Sequence, residues 1–259
     1  MATAAVAIVQ ARMGSSRLPG KVLEPVAGHP MLWHIVDRLR RAPGVSEVIV
    51  ATSTSESDVA LKALCATIGV TCFAGSELDV LDRFYRAAGS CTADPVLRIT
   101  ADCPFVDPEL VGKVLALYQR GGYDYTAAAT GCVAFYDDGL KYPDGLDVEC
   151  FSFAALARAH SETAVRSDRE HVTPYLYRSK KFRVGLVPAE GDWGKLRWTV
   201  DHAADLELVR HVYDALYRPD RAFTMRDILA YVASHPELAG LNQAYVGHEG
   251  YAKVWNPDA

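Results

Sequence analysis

Ala5-Val6-Ala7-Ile8-Val9-Gln10-Ala11-Arg12-Met13-Gly14-Ser15-Ser16-Arg17-Leu18-Pro19-Gly20-Lys21 is an apolar run that gives way to a polar, cationic loop. Five small or β-branched residues with no charge among them predict a strand buried on both faces, as in parallel sheets. The loop holds two glycines, two serines and three cations. Glycine and serine let backbone N–H groups approach an anion while arginine and lysine offset its charge, so the loop suits phosphates. In open α/β sheets ligands bind beyond the carboxyl ends of the strands, which is where this loop lies. It is not a Walker loop, because five residues separate Gly14 from Gly20-Lys21 and Val22 follows where that motif has Ser or Thr. Nor is it GxGxxG. Composition alone would equally allow a solvated basic turn.

Outward from this stretch, short β-branched runs alternate with helical patterns, the rhythm of a parallel sheet with helical crossovers. Strands are expected at Val45 to Ala51, Val70 to Phe73 and Val96 to Thr100, with helices after Pro30 and over Asp58 to Ile68, Asp79 to Gly89 and Pro108 to Tyr118. Gly121 to Pro143 is aromatic, glycine-rich and irregular, and a strand-like Leu146 to Phe151 follows it. A helix is then expected from Phe153 to about Glu162, followed by a polar stretch containing Arg166, Asp168 and Arg169 and a helix through Tyr177, with strands over Phe182 to Val187 and Leu196 to Val200. Asp201 is expected to cap a helix from Ala203 to Tyr217, and Met225 to Val232 begins a last one. No linker or repeat divides the chain, so residues 1–259 read as one domain, with 121–195 as an excursion that shapes an acceptor pocket or a dimer contact.

Composition narrows the partners. A formal net charge of −5 over 259 residues argues against chain-wide attraction to nucleic acid or anionic membrane and leaves room for a small phosphate ligand in a local basic pocket. The run from Ala4 to Val9 is short and lacks a preceding basic region, which makes it a poor signal peptide or membrane span. Six cysteines, at 65, 72, 91, 103, 132 and 150, form neither CxxC nor a His-Cys zinc spacing. They are expected as reduced thiols of a cytoplasmic protein.

The first loop resembles the signature loop of the CMP-sugar-acid synthetases, including the 3-deoxy-manno-octulosonate cytidylyltransferases, and most closely the cytidylyltransferases of spore coat polysaccharide biosynthesis. Four further segments are similar and come in the family's order: Leu97-Arg98-Ile99-Thr100-Ala101-Asp102-Cys103-Pro104, Tyr142-Pro143-Asp144-Gly145-Leu146-Asp147-Val148-Glu149, Arg169-Glu170-His171-Val172-Thr173-Pro174 and Leu196-Arg197-Trp198-Thr199-Val200-Asp201. The resemblance implies an α/β, Rossmann-like three-layer nucleotide-diphospho-sugar transferase fold with a mostly parallel central sheet. It also implies CTP as donor, Mg2+ as cofactor and a homodimer. By position, Gln10, Ala11, Arg12, Met13, Gly14, Ser15, Ser16, Arg17 and Lys21 would meet the nucleotide, with Thr52, Ser53, Arg83, Thr100, Ala101 and Asp102. Arg12, Lys21, Asp102 and Asp201 would be catalytic, and Asp102 and Asp201 would hold the metal. On residue type alone Asp102 is equally a turn residue and Asp201 a helix cap.

The expected reaction is in-line attack of an acceptor oxygen on the α-phosphorus of CTP, with pyrophosphate leaving. Asp144, Asp147, Glu149, Arg169, Glu170, His171, Lys195 and Arg197 would line the acceptor half, where mixed cations and carboxylates suit a small acidic, polyhydroxylated ligand: a sugar acid, or a phosphonate or phosphate. Glu149 and Arg197 would equally serve as a structural ion pair, and His171 as a core histidine. A hydroxyl nucleophile needs a base, for which His171, Glu170 or a water on the metal are candidates; an anionic phosphonate needs none. The other readings are a nucleotidylyltransferase that uses another nucleotide and a sugar 1-phosphate, and a non-catalytic nucleotide-binding subunit.

Overall fold

Alternation within the first strand sets the layers. The computed structural model describes residues 4–130 and 139–245, so Cys132 lies outside the described residues. Strand β1 (Ala5–Gln10) sends Ala5, Ala7 and Val9 into one apolar cluster and Val6 and Ile8 into another, following the two-residue period of a strand. A short ribbon, β2 (Pro25–Val26) and β3 (His29–Pro30), leads into α1 (Met31–Arg40). Then come β4 (Val45–Ser53), α2 (Val59–Thr67), β5 (Thr71–Gly75), α3 (Val80–Ser90), β6 (Val96–Thr100) and α4 (Pro108–Gln119). The rest supplies β7 (Tyr125–Ala128), β8 (Glu149–Phe151), α5 (Phe153–Glu162), α6 (Arg166–His171), α7 (Pro174–Arg178), β9 (Val184–Val187), α8 (Ala203–Leu216) and α9 (Met225–Ser234).

Seven strands form one sheet in the order β5-β4-β1-β6-β8-β7-β9. Only β8 runs antiparallel to its neighbours in it. Leu32 of α1, Leu61 of α2, Val111 of α4, Val209 of α8 and Ile228 of α9 fill the cluster on one face; Phe84 of α3, Leu156 of α5 and Leu176 of α7 fill the other. The protein is thus a three-layer α/β fold with a mostly parallel sheet. Successive strands leave β1 first toward β4 and β5, then on the other side toward β6. That reversal puts a crevice at the carboxyl ends of β1 and β6, where Gln10 stands opposite Thr100.

Four expectations about elements change. Leu196 to Val200 joins no strand ladder: it is held by Asp144 N–H to Leu196 O (2.9 Å), Trp198 N–H to Asp144 O (2.7 Å) and Val200 N–H to Asp102 O (2.8 Å). Trp198 and Val200 still enter the core, which is why the segment reads as a strand. Strand β7 forms inside the stretch that looked irregular, so the 121–195 excursion supplies three strands of the central sheet itself. The polar stretch with Arg166, Asp168 and Arg169 is itself a helix, α6, which Val172, at φ +72°, separates from α7, the helix expected through Tyr177. Finally, His202 occupies the cap of α8; the carboxylate that accepts there is Asp205, from the N–H groups of Asp201 and His202 at 2.9 Å each. Asp201 keeps its own carboxylate for other partners.

Candidate active site

The first loop is fastened from below by a buried carboxylate. Asp58 Oδ1 accepts Met13 N–H at 2.8 Å, while Oδ2 accepts Thr52 Oγ1 (2.9 Å), Ser53 N–H (3.0 Å) and Ser53 Oγ (2.5 Å). Burial pushes Asp58 up, but the bonds from Ser53, Met13 and Thr52 outweigh it and hold the carboxyl below its usual range. Thr52 and Ser53, expected beside the nucleotide, are therefore buried supports of the loop and do not line the cleft. Met13 closes the loop by accepting Gly20 N–H at 3.0 Å, with Gly20 at φ +74° as the chain turns into Lys21. Gln10, Ala11, Arg12, Ser15, Ser16, Arg17 and Lys21 line the cleft, and Met13 and Gly14 do not.

The cleft has a volume of about 570 Å³. At its floor, Lys21 gathers residues far apart in the chain. Its Nζ donates to Val200 O (2.6 Å), Asp201 Oδ1 (2.9 Å) and Asp102 Oδ2 (3.3 Å), which uses all three ammonium hydrogens. Burial lowers the Lys21 pKa, and the charges and hydrogen bonds of Asp102 and Asp201 more than reverse this, leaving it raised. Asp201 also takes Arg17 on Oδ1 at 2.8 Å and Arg197 on Oδ2 at 3.1 Å. Against burial, Lys21 and Arg17 bring its carboxyl down to about 2. Arg197 in turn spans Asp205 (3.0 Å), Asp201 and, at 3.7 Å, Asp144. Two carboxylates from separate segments thus converge on one cation at the carboxyl edge of the sheet. Asp102, a third exposed, stays open to the cleft. Such hard oxygen donors fit a divalent magnesium ion; among the described residues no group of three or more His, Cys, Asp or Glu side chains could hold a metal.

Toward the β4 side of the cleft, Arg83 has no exposed surface, donates Nη1 to Ser76 O at 2.7 Å, and leaves Nε and Nη2 without a partner among the described residues. Burial and the nearby charge of Arg12 push it down to about 10. Arg12 itself is exposed at the rim. Thr100 and Ala101 line the wall, with Thr100 Oγ1 3.1 Å from Cys103 Sγ.

Of the residues expected at the acceptor, Asp144, Asp147, Arg169, Glu170, His171 and Arg197 line the cleft; Glu149 and Lys195 do not. Glu149 is paired with Arg98, not with Arg197, and also accepts Tyr125 Oη and Thr173 Oγ1 at 2.6 Å each. Lys195 is exposed elsewhere. Arg169 is spent on Asp79, with Nε 3.0 Å from both carboxylate oxygens. Sequence reading missed Asp79 and Arg166 as cleft residues. Asp79 carried a helix-start signal and does cap α3, accepting Asp82 N–H at 2.9 Å. Arg166 sat in a polar stretch with no spacing to single it out.

The profile of the cytidylyltransferase family matches residues 6–227, the loop and both converging aspartates included. The chain belongs to the cytidylyltransferase family. The spore coat polysaccharide biosynthesis protein SpsF of Bacillus subtilis is 31% identical over 242 residues, 92% of this chain and 97% of SpsF. A cytidylyltransferase structure from Leptospira borgpetersenii serovar Hardjo-bovis superposes with a TM-score of 0.82 at 27% identity, over 91% of this chain and 97% of the other. A CMP:2-keto-3-deoxy-manno-octonic acid synthetase, solved with CTP, shares the fold at 21% identity and a TM-score of 0.59, over 82% of this cytidylyltransferase and 98% of the synthetase. Membership makes the chain an enzyme of nucleotidyl transfer. No described helix is long and apolar enough to cross a membrane.

Proposed function

We propose that this cytidylyltransferase moves CMP from CTP onto a small acidic acceptor and releases pyrophosphate, with Mg2+ held by Asp102 and Asp201. The observation that carries the reading is the convergence of those two carboxylates on one ammonium, at the strand switch beside a glycine- and arginine-bearing loop. Bound there, Mg2+ would offset the charge of the α-phosphate and orient it. Arg12, Ser15, Ser16 and Arg17 face the space for the triphosphate, and Lys21 lies at its floor. Arg83 and Thr100 flank the nucleoside side. The fold shared with a synthetase solved with CTP supports the same placement. Residues of α6 and of the 144–147 loop bound the acceptor half. One domain over residues 1–259, a homodimer and a cytoplasmic setting belong to the same reading, resting on the sequence resemblance; sedimentation tests the dimer.

Calorimetric titration with CTP, UTP, ATP and GTP in magnesium tests the donor, with CTP expected to bind most tightly. Incubation with CTP, magnesium and a panel of sugar acids, phosphonates and phosphates, followed by mass spectrometry of CMP conjugates, tests the acceptor. A purine triphosphate that binds as tightly as CTP would remove the cytidylyl assignment.

A further inference from the structure

The acidic groups at the cleft floor are not alike. Asp201 is met by Lys21, Arg17 and Arg197, Asp102 by Lys21, Asp144 by Arg197 and Asp79 by Arg169. Asp147 is the exception. It accepts only neutral donors, Thr130 Oγ1 at 2.6 Å on one oxygen and Gly145 N–H at 3.1 Å on the other, and no cation pairs with it among the described residues. Each of its oxygens keeps a free lone pair, and the side chain lines the cleft. Its loop borders the proposed metal site, because Arg197 reaches both Asp144, three residues before it, and Asp201. The buried Cys103 thiol, bonded to Thr100 and adjacent in sequence to Asp102, is pushed up by burial and then by the charges of Asp102, Asp147 and Asp144 together. Gly145 presses so closely on Trp198 and Thr199 that the loop carrying Asp147 is fixed against the segment that carries Asp201.

We propose that Asp147 is the proton acceptor of the transfer, and hence that the nucleophile is an acceptor hydroxyl. Asp147 takes the hydrogen as the hydroxyl oxygen bonds to the α-phosphorus; the bond from that phosphorus to the bridging oxygen breaks, and its electron pair leaves with pyrophosphate. The proposal rests on the cytidylyl-transfer reading above. The environment suits the role. Burial first, then the like charge of Asp144 and more weakly of Glu149, raise Asp147 to about 7 against the bonds from Thr130 and Gly145. Arg197, the cation of the neighbouring segment, is committed to Asp144, Asp201 and Asp205, and Arg98 to Glu149. A base poised near working pH is the most effective kind. Glu170, by contrast, is exposed to water.

Asp147→Asn tests this in two arms. In the first, with the panel acid that yields a CMP conjugate, turnover falls about 10²–10⁴-fold, the range for loss of a general base, while Mg–CTP affinity by calorimetry stays within about twofold. The wild-type rate declines on the acid side as Asp147 takes up its proton, and the variant loses that limb. The second arm needs no acceptor. A carboxyl raised on folding gives the wild type a stability that is full below about pH 4, is lost as pH rises to about 7 and changes no further above it, so the variant's melting temperature relative to wild type climbs between about pH 4 and 7 and then levels. A pH-independent melting difference would make Asp147 a turn anchor and overturn the proposal. So would full turnover in the variant, or a productive acceptor that attacks through a phosphonate oxygen. No CMP conjugate from the wild type with any acid would instead strike the transfer reading, and the melting arm would still decide the state of Asp147.

Discussion

At the residue scale, two buried cations bear on ligand binding in opposite ways. Lys21 has no hydrogen left for a phosphate, because Val200, Asp201 and Asp102 take all three. Its ammonium therefore stands where a metal would draw the two carboxylates, and ligand binding must loosen at least one of its bonds. Lys21→Met is expected to tighten Mn2+ binding to the nucleotide-free protein, read by electron paramagnetic titration, while lowering turnover about 10²–10³-fold as a lost transition-state donor does. Weaker Mn2+ binding in the variant would show that Lys21 organises the aspartates and does not compete for them. Arg83 makes the complementary case, a guanidinium fully out of water with two nitrogens unpaired among the described residues. An unsatisfied buried charge destabilises the protein that holds it. Arg83→Met is expected to raise the melting temperature of the free enzyme and to weaken CTP binding roughly 10–100-fold, the loss of a charged hydrogen bond of about 1.5–3 kcal/mol. A variant that melts lower and binds CTP normally would make Arg83 a packing residue.

At the element scale, regular elements were legible from pattern and the connections were not. Strand β1, α3, β6 and α4 fall within a residue or two of where apolar period and capping residues put them. Leu196 to Val200 misled because alternation reports which side chains are buried, and a segment tied by single bonds to Asp144 and Asp102 buries Trp198 and Val200 as a strand would. The site followed the same divide. Arg12, Lys21, Asp102 and Asp201 were singled out by the resemblance of their segments to the family, since residue type alone left Asp102 a turn residue and Asp201 a cap; the support of Asp58 by Thr52 and Ser53 was not legible, because it depends on which side of a loop a hydroxyl faces. The contact that makes these connections rigid is Gly145, at φ +101°, where an added Cβ would lie 2.4 Å from Thr199 N and 2.5 Å from Trp198 C. Gly145→Ala adds backbone strain and a clash that each cost about 1–3 kcal/mol. It is expected to lower stability in urea by a comparable amount, to draw Asp144 away from Arg197 and to shift Asp147 in the cleft, so turnover should fall while binding of CTP on the far wall is retained. Normal stability and turnover would mean that the two segments separate freely.

At the scale of the whole molecule, the cleft floor ties the beginning of the chain to its end, since Lys21 bonds to Asp201 and Asn242 Nδ2 donates at 2.9 Å to both Arg197 O and Asp205 Oδ1. Unfolding either half disperses these groups, so a ligand that bridges the first loop and the converging aspartates binds only the native chain. Its binding energy then appears in full as stability. At about one hundred times its dissociation constant such a ligand adds ~2.7 kcal/mol. At roughly 2–4 °C per kcal/mol for a chain near this size, that is a rise of about 5–11 °C in melting temperature. CTP with magnesium is expected to give that rise, CTP with chelator a smaller one, and UTP at the same concentration less than CTP. In Asp201→Asn the increment from adding magnesium to CTP should largely vanish, while the rise from CTP alone survives through the loop and Arg83. Equal shifts with and without magnesium in the wild type would place the metal outside this cleft and return Asp102 and Asp201 to the role of counter-ions for Lys21.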